Sequence, residues 1–241
     1  MTYLVMSCAA FLGGIIQPIT GFGAGVIVMI ALSFFFDMTL APTLSASICF
    51  FQSAFLLMGC RQGMRLKKQI PVVISYLLCS FCIISLLDRF DLRLLTMLFG
   101  GFLILLSVYF LFFAKRFTLT ASLKTGLVCG IVSGCCAGAF SIGGPTIALY
   151  YIAACEDQDD YMGNMQFLFT ISNLLLAAQR TARGFFDVRL TPLLLFCGAA
   201  IIAGTLVGKR LSRKFSGAAL RKAVYVGVGI SGMITLLQQL F

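Results

Sequence analysis

Two stretches place glycine, proline and small polar residues inside apolar sequence. The first is Gly13-Gly14-Ile15-Ile16-Gln17-Pro18-Ile19-Thr20-Gly21-Phe22-Gly23-Ala24-Gly25. The second, about 120 positions later, is Gly134-Cys135-Cys136-Ala137-Gly138-Ala139-Phe140-Ser141-Ile142-Gly143-Gly144-Pro145, followed by Thr146. Glycine and proline weaken a helix. In lipid a broken helix survives only where protein or a water-filled cavity satisfies the freed backbone groups. Helices restarting at Gly21 and Ile142 would turn free N–H groups and a positive dipole end inward, which binds anions without a buried cation. The chemistry implied is recognition of a small oxyanion. The candidate substrate-binding residues are Gln17, Thr20, Gly21 and Gly23 at the first break and Ser141, Gly143, Gly144 and Thr146 at the second. Gln52, Ser172 and Asn173 on the next apolar runs are added as hydrogen-bond donors. The competing reading of each glycine motif is close helix packing. Two breaks at matching places with polar neighbours favour a binding site.

Other chemistries lack their residues. There is no histidine, no nucleotide-binding Gly-x-x-x-x-Gly-Lys-Ser/Thr loop and no catalytic constellation, so neither an enzyme nor an ATP-driven pump is expected. No cofactor or metal is expected. The eight carboxylates, Asp37, Asp88, Asp91, Glu156, Asp157, Asp159, Asp160 and Asp187, fall at or near the ends of apolar runs, away from the mid-span positions of proton and sodium relays. The 156–160 acidic run reads as a solvated loop. Arg61, Arg65, Arg180 and Arg183 read as orienting charges at segment ends. The ten cysteines lie mostly inside apolar runs and read as small packing residues.

The elements that must position these residues are membrane helices. Of 241 residues 60% are hydrophobic and 11% charged, and the mean hydropathy is +1.03. Several runs approach or exceed the roughly 20 residues that span a bilayer. Met1-Thr2-Tyr3-Leu4 has no basic n-region, so the first run is expected to stay in the membrane. The net charge of +10 comes from 18 Lys and Arg clustered between runs. That pattern fits cytoplasmic loops rather than nucleic-acid binding.

Four segments recur in order: 4–36 with 123–155, 42–60 with 162–180, 70–87 with 190–208, and 92–113 with 219–240. Gly14 matches Gly134, Gly23 matches Gly143, Asp37 matches Asp157, Pro71 matches Pro192, and Leu92-Arg93 matches Leu220-Arg221. The reading is an all-α integral membrane protein of two repeated halves, each with four hydrophobic segments of which the first is broken. That makes eight segments and up to ten helices. Residues 1–114 form the first repeat, 115–124 a basic linker and 125–241 the second repeat. If each broken segment returns to the side it entered from, the halves are inverted and more of the Lys and Arg gather on one side, in better accord with the charge rule.

The pattern resembles the TauE/SafE sulfite exporter family of membrane transporters. Gly14, Gln17 and Gly21-Phe22-Gly23-Ala24-Gly25 carry the resemblance in the first half. In the second, Gly130-Ile131-Val132-Ser133-Gly134, Gly138 and Ser141-Ile142-Gly143-Gly144-Pro145 carry it. Pro145 departs from the pattern, standing where another small residue is expected. The resemblance covers essentially the whole chain and implies transport of sulfite, sulfonates or related organic anions. The expectation is a multi-pass inner (plasma) membrane exporter working by alternating access. Its partners are a small anion and the lipid bilayer, with a homo-oligomer left open. A passive anion channel and a non-transporting assembly or sensor subunit are the rivals.

Overall fold

Among the described residues the chain forms ten α-helices and no strand. The computed structural model describes residues 2–60, 66–113, 120–212 and 218–240. The helices are α1 (Thr2–Thr20), α2 (Ala24–Ser33), α3 (Leu40–Cys60), α4 (Leu66–Leu86), α5 (Leu92–Val108), α6 (Leu123–Phe140), α7 (Gly144–Ala154), α8 (Gln158–Ala182), α9 (Thr191–Ser212) and α10 (Ala218–Leu240). In the first five and in the last five alike, the second helix is the short one, at 10 and 11 residues. Residues 61–65 of the 61–68 loop, with Arg61 and Arg65, residues 213–217 of the 209–222 loop and residues 115–119 of the linker lie outside the described residues.

Six of the helices, α1, α3, α4, α5, α6 and α9, are long and apolar enough to cross a membrane. Their surfaces are apolar: Leu4, Leu78, Phe81, Leu105, Phe112, Leu195 and Phe196 are all exposed. The interior instead holds polar side chains, among them Gln17, Gln52, Ser133, Asn164, Gln166, Ser172 and Thr205. An apolar outside with a polar inside inverts the soluble pattern and suits lipid as the surrounding solvent. At 10 and 11 residues, α2 and α7 extend about 15 Å, half of the hydrocarbon core.

Each short helix folds back along the long one before it. Ala24 lies against Gly13, about two turns before the end of α1. Gly143 lies beside the Ser133 carbonyl, and the Tyr150 ring beside Gly126. As α7 advances from 143 to 150, it descends α6 from 133 to 126, so the two are antiparallel.

The halves interlock. The first helix of each packs on the fourth helix of the other, α1 on α9 and α6 on α4. Both pairs run parallel. Tyr3 meets Phe196 edge-on, and the carbonyls of Phe11 and Ile15 sit against Gly204 and Gly208. In the other pair Gly126, Gly134 and Gly138 face Val72, Tyr76 and Ser80. A side chain at Gly134, Gly138, Gly204 or Gly208 would strike backbone, so these small residues set the helix separation. The corresponding helices α5 and α10 pack on one another antiparallel: Gly100 faces Gly232, and Ser107 donates to the Tyr225 carbonyl at 2.7 Å.

Candidate functional site

The two breaks meet. A Cβ at Gly144 would lie 2.9 Å from that of Phe22, and one at Gly25 would lie 3.3 Å from the Ser141 carbonyl oxygen. Between them is a cavity of ≈ 30 Å³, room for about two water molecules. Gln17, Phe22, Gly23 and Gly25 line it from the first half of the chain. Ser141, Gly143, Gly144 and Pro145 line it from the second, and Tyr76, Phe169 and Asn173 close its sides.

The second break falls at 141–143, as the sequence reading places it. The first falls at 21–23, so the second helix starts at Ala24, three residues beyond the expected Gly21, and Pro18 stays inside α1. Proline has no N–H to give the carbonyl four residues earlier. That carbonyl, of Gly14, instead accepts a hydrogen bond from Gln52 Nε2 at 3.3 Å, and the same amide nitrogen donates to the Thr205 hydroxyl at 3.0 Å. Gln52 thus repairs the proline gap from α3, and the helix continues to Thr20.

At Gly23 the chain turns with φ +111°, a left-handed conformation open to glycine and strained for other residues. Gly21 also has positive φ, and the Tyr161 ring occupies the space a side chain would need. Thr20 Oγ1 donates to the Ile16 carbonyl at 3.0 Å and bonds the Phe22 carbonyl, so its hydroxyl is spent on the turn itself. Ser141 ends α6 with φ +56°, and its hydroxyl donates to the Pro42 carbonyl of α3 at 2.8 Å. Pro145 sits in the first turn of α7, where its fixed φ suits the helix and its missing N–H costs nothing.

The N-termini of α2 and α7 therefore begin at the cavity wall, and neither receives a side-chain cap. Their first backbone N–H groups are the unsatisfied donors of a helix start, and both positive dipole ends converge on one space. No carboxylate lines that space. The Asn173 amide reaches the cavity and makes no hydrogen bond to another described residue. Gln17 lines the cavity while its Nε2 donates to Gln166.

Of the remaining candidate residues, Thr20, Gly21, Gln52, Thr146 and Ser172 do not line the cavity. Ser172 is buried near the Tyr76 hydroxyl, which itself packs on Gly143. Tyr76 and Phe169 carry no signal in the sequence, because an aromatic residue within an apolar run does not show which way it faces. Tyr161 and Gln166 also matter. They donate from α8 to the carbonyls of Thr20 and Gly21, at 3.0 and 3.1 Å, and fasten the first break from behind.

Two charge readings change. Asp160 is buried, accepting from Asn164 Nδ2 at 2.6 Å and from the Glu156 N–H at 3.2 Å, so part of the acidic run is internal scaffolding at the start of α8. Arg180 is 0% exposed. It lies in the last turns of α8, and its Nη2 donates inward to the carbonyls of Gly138 and Ala139 at the end of α6. An orienting charge would stand in water. Arg183 is the exposed member of that pair.

Spanning helices, an apolar exterior and a polar core around two folded-back helix breaks define a multi-pass membrane protein. A family model described as Sulfite exporter TauE/SafE matches residues 6–234, and the chain belongs to that family. It is a family of membrane transporters, not of enzymes. No curated protein and no solved structure matches the chain.

Proposed function

We propose that the protein is a secondary exporter of a small sulfur oxyanion, sulfite or an organosulfonate, in the inner (plasma) membrane. The anion binds between the two breaks, held by the N–H groups that open α2 and α7 and by the Asn173 amide. One observation carries this reading: two uncapped helix starts face a single cavity that contains no acidic group. Such termini attract negative charge and repel cations. Glycine at 23, 143 and 144 lets an anion reach the backbone. At ≈ 30 Å³ the cavity is closed to an ion larger than a few waters, so the breaks separate to load it.

The motion we infer is alternating access between inverted repeats, 1–114 and 125–241, joined by the 115–124 linker. The folded-back α7 and the antiparallel packing of α5 on α10 support the inversion, since helices in matching places of two like-oriented halves would run parallel. Inversion puts the 61–68 and 209–222 loops together on the cytoplasmic side, where their Lys and Arg belong.

A thermal-shift screen of the purified protein tests the substrate class. Sulfite, thiosulfate, sulfate, taurine and sulfoacetate are compared with carboxylates. A ligand at 100 times its Kd stabilises by about 2.7 kcal/mol, readily seen as a rise in melting temperature. Stabilisation by sulfite or a sulfonate is expected. Stabilisation by carboxylates alone, or by none of these anions, would overturn the assignment.

A further inference from the structure

α8 lies behind both breaks. Tyr161 and Gln166 hold the carbonyls that end α1, Phe169 and Asn173 face the cavity, and Arg180 holds the carbonyls that end α6. Positions 169, 173, 176 and 180 fall at helical spacing on one stripe. The first tie is made by neutral groups and the second by a permanent cation. Arg180 is the largest fully buried side chain among the described residues. Its Nε and Nη1 have no hydrogen-bond partner, and no described carboxylate pairs with it.

Capping two carbonyls does not require a guanidinium. A lysine would supply the charge, and a glutamine would supply a neutral donor, as Gln166 does at the other break. What arginine adds is a rigid fork of several N–H groups matched to two oxygens of one oxyanion. Here part of that fork is left unused in the interior, where an unpaired charge is costly and a partner is expected. Arg180 follows Asn173 by two turns, about 10 Å of rise. Its side chain leans back toward the start of α8, hence toward Asn173. Nothing else described in this part of the interior carries charge.

We propose that Arg180 is a second contact for the transported anion. When the α6–α7 turn shifts and frees Nη2 from the Gly138 and Ala139 carbonyls, the Nε–H and Nη2–H edge takes two oxygens of the oxyanion, so that the ion passes between the Asn173 cavity and the guanidinium fork. The inference rests on the anion-transport reading above and adds the residue that supplies its positive charge. It also narrows the substrate to anions that present two oxygens to a planar fork, which sulfite, sulfonates and carboxylates do and halides do not.

The test compares wild type, Arg180→Gln and Arg180→Lys in proteoliposomes, with sulfite and methanesulfonate as probes and chloride as control. Initial rates give KM and maximal rate, and the melting temperature is followed with and without each anion. For Arg180→Gln, KM should rise at least 30-fold and the anion-dependent thermal shift should vanish. For Arg180→Lys, which keeps the charge but not the fork, KM should rise about tenfold. If Arg180→Gln lowers the melting temperature while KM stays within twofold of wild type, Arg180 merely caps α6 and the proposal is overturned. Should Arg180→Gln fail to fold, Arg180→Lys decides, and an unchanged KM there overturns it equally. If wild type responds to neither probe, the anion-transport reading itself falls, an outcome separate from a variant behaving like a responsive wild type.

Discussion

Gln17 on α1 and Gln166 on α8 are joined side chain to side chain at 2.8 Å, and Gln166 carries the connection on to the Gly21 carbonyl at 3.1 Å. All three groups are buried. The first break is therefore held open by a helix from the other half of the chain. Replacing Gln166 by leucine leaves the Gln17 amide and the Gly21 carbonyl without partners. The expected cost is about 1–3 kcal/mol for each group stranded, read as a lower melting temperature together with reduced flux. An unchanged melting temperature would mean that the break holds its shape without α8.

The glycines at the breaks differ in what forbids a side chain. At Gly23 it is backbone conformation, with φ +111° and Ile16 Cγ2 3.3 Å from a Cβ. At Gly143 it is contact, since a Cβ would collide with the Tyr76 hydroxyl and lie 2.8 Å from the Ser133 carbonyl. Leucine at either position should abolish flux while leaving membrane insertion largely intact. Gly143→Ala should be partly rescued by Tyr76→Phe, and Gly23→Ala should not. Normal flux in both leucine variants would reduce these glycines to packing.

The antiparallel contact of α5 with α10 predicts a topology. Single cysteines introduced in the 61–68 and 209–222 loops should be labelled by an impermeant reagent from the same face of the membrane, the cytoplasmic one. Labelling from opposite faces would restore like-oriented halves.

Asp37 accepts from the N–H groups of Thr39 and Leu40, both at 2.9 Å, at the start of α3, as its repeat counterpart Asp157 accepts from the Asp160 N–H at the start of α8. Partial burial pushes the Asp37 carboxyl upward, but the bonds from the Thr39 hydroxyl and the two N–H groups outweigh it and hold the carboxyl below the usual range. A depressed carboxyl stabilises the fold at pH values above its unfolded pKa, near 4, and loses that contribution as pH falls through the lower folded value. Asp37→Ala should cost about 1 kcal/mol at neutral pH and little below pH 3, measured by thermal melts across pH. Its transport should remain substantial, as should that of any other single Asp or Glu replacement. Loss of flux on replacing one carboxylate, with the fold intact, would point to a proton or sodium relay.

The helical run was legible because Gly14, Gly23, Asp37 and Pro71 have counterparts in order later in the chain, and each of the ten described helices overlaps one of the recurring segments. The second break was legible because Ser141, Gly143, Gly144 and Pro145 leave no good helix former between Phe140 and Thr146. The first was displaced by three residues because Pro18 alone cannot end a helix when Gln52, distant in sequence, satisfies the carbonyl it abandons. Gln52 carried the same polar signal whether it faced a ligand or a neighbouring helix. Arg180 was hidden by its place near the end of an apolar run. Only the approach of the α6 terminus, a tertiary contact, shows that it points inward. Tyr76 lies on α4, outside both glycine motifs, and only the close packing of α4 on α6 brings it to Gly143.

Anion efflux from proteoliposomes under an imposed potassium-diffusion potential tests the central claim most directly. With no carboxylate in the cavity to carry a compensating ion, a monoanion should move with its charge. Each 100 mV is then worth about 2.3 kcal/mol, roughly a fifty-fold gradient at equilibrium. Efflux of sulfite or a sulfonate is expected to saturate with concentration, to show counterflow and to accelerate when the interior is made negative. Efflux no faster than from protein-free liposomes would contradict transport. Saturable efflux indifferent to the potential would contradict an uncoupled anion carrier.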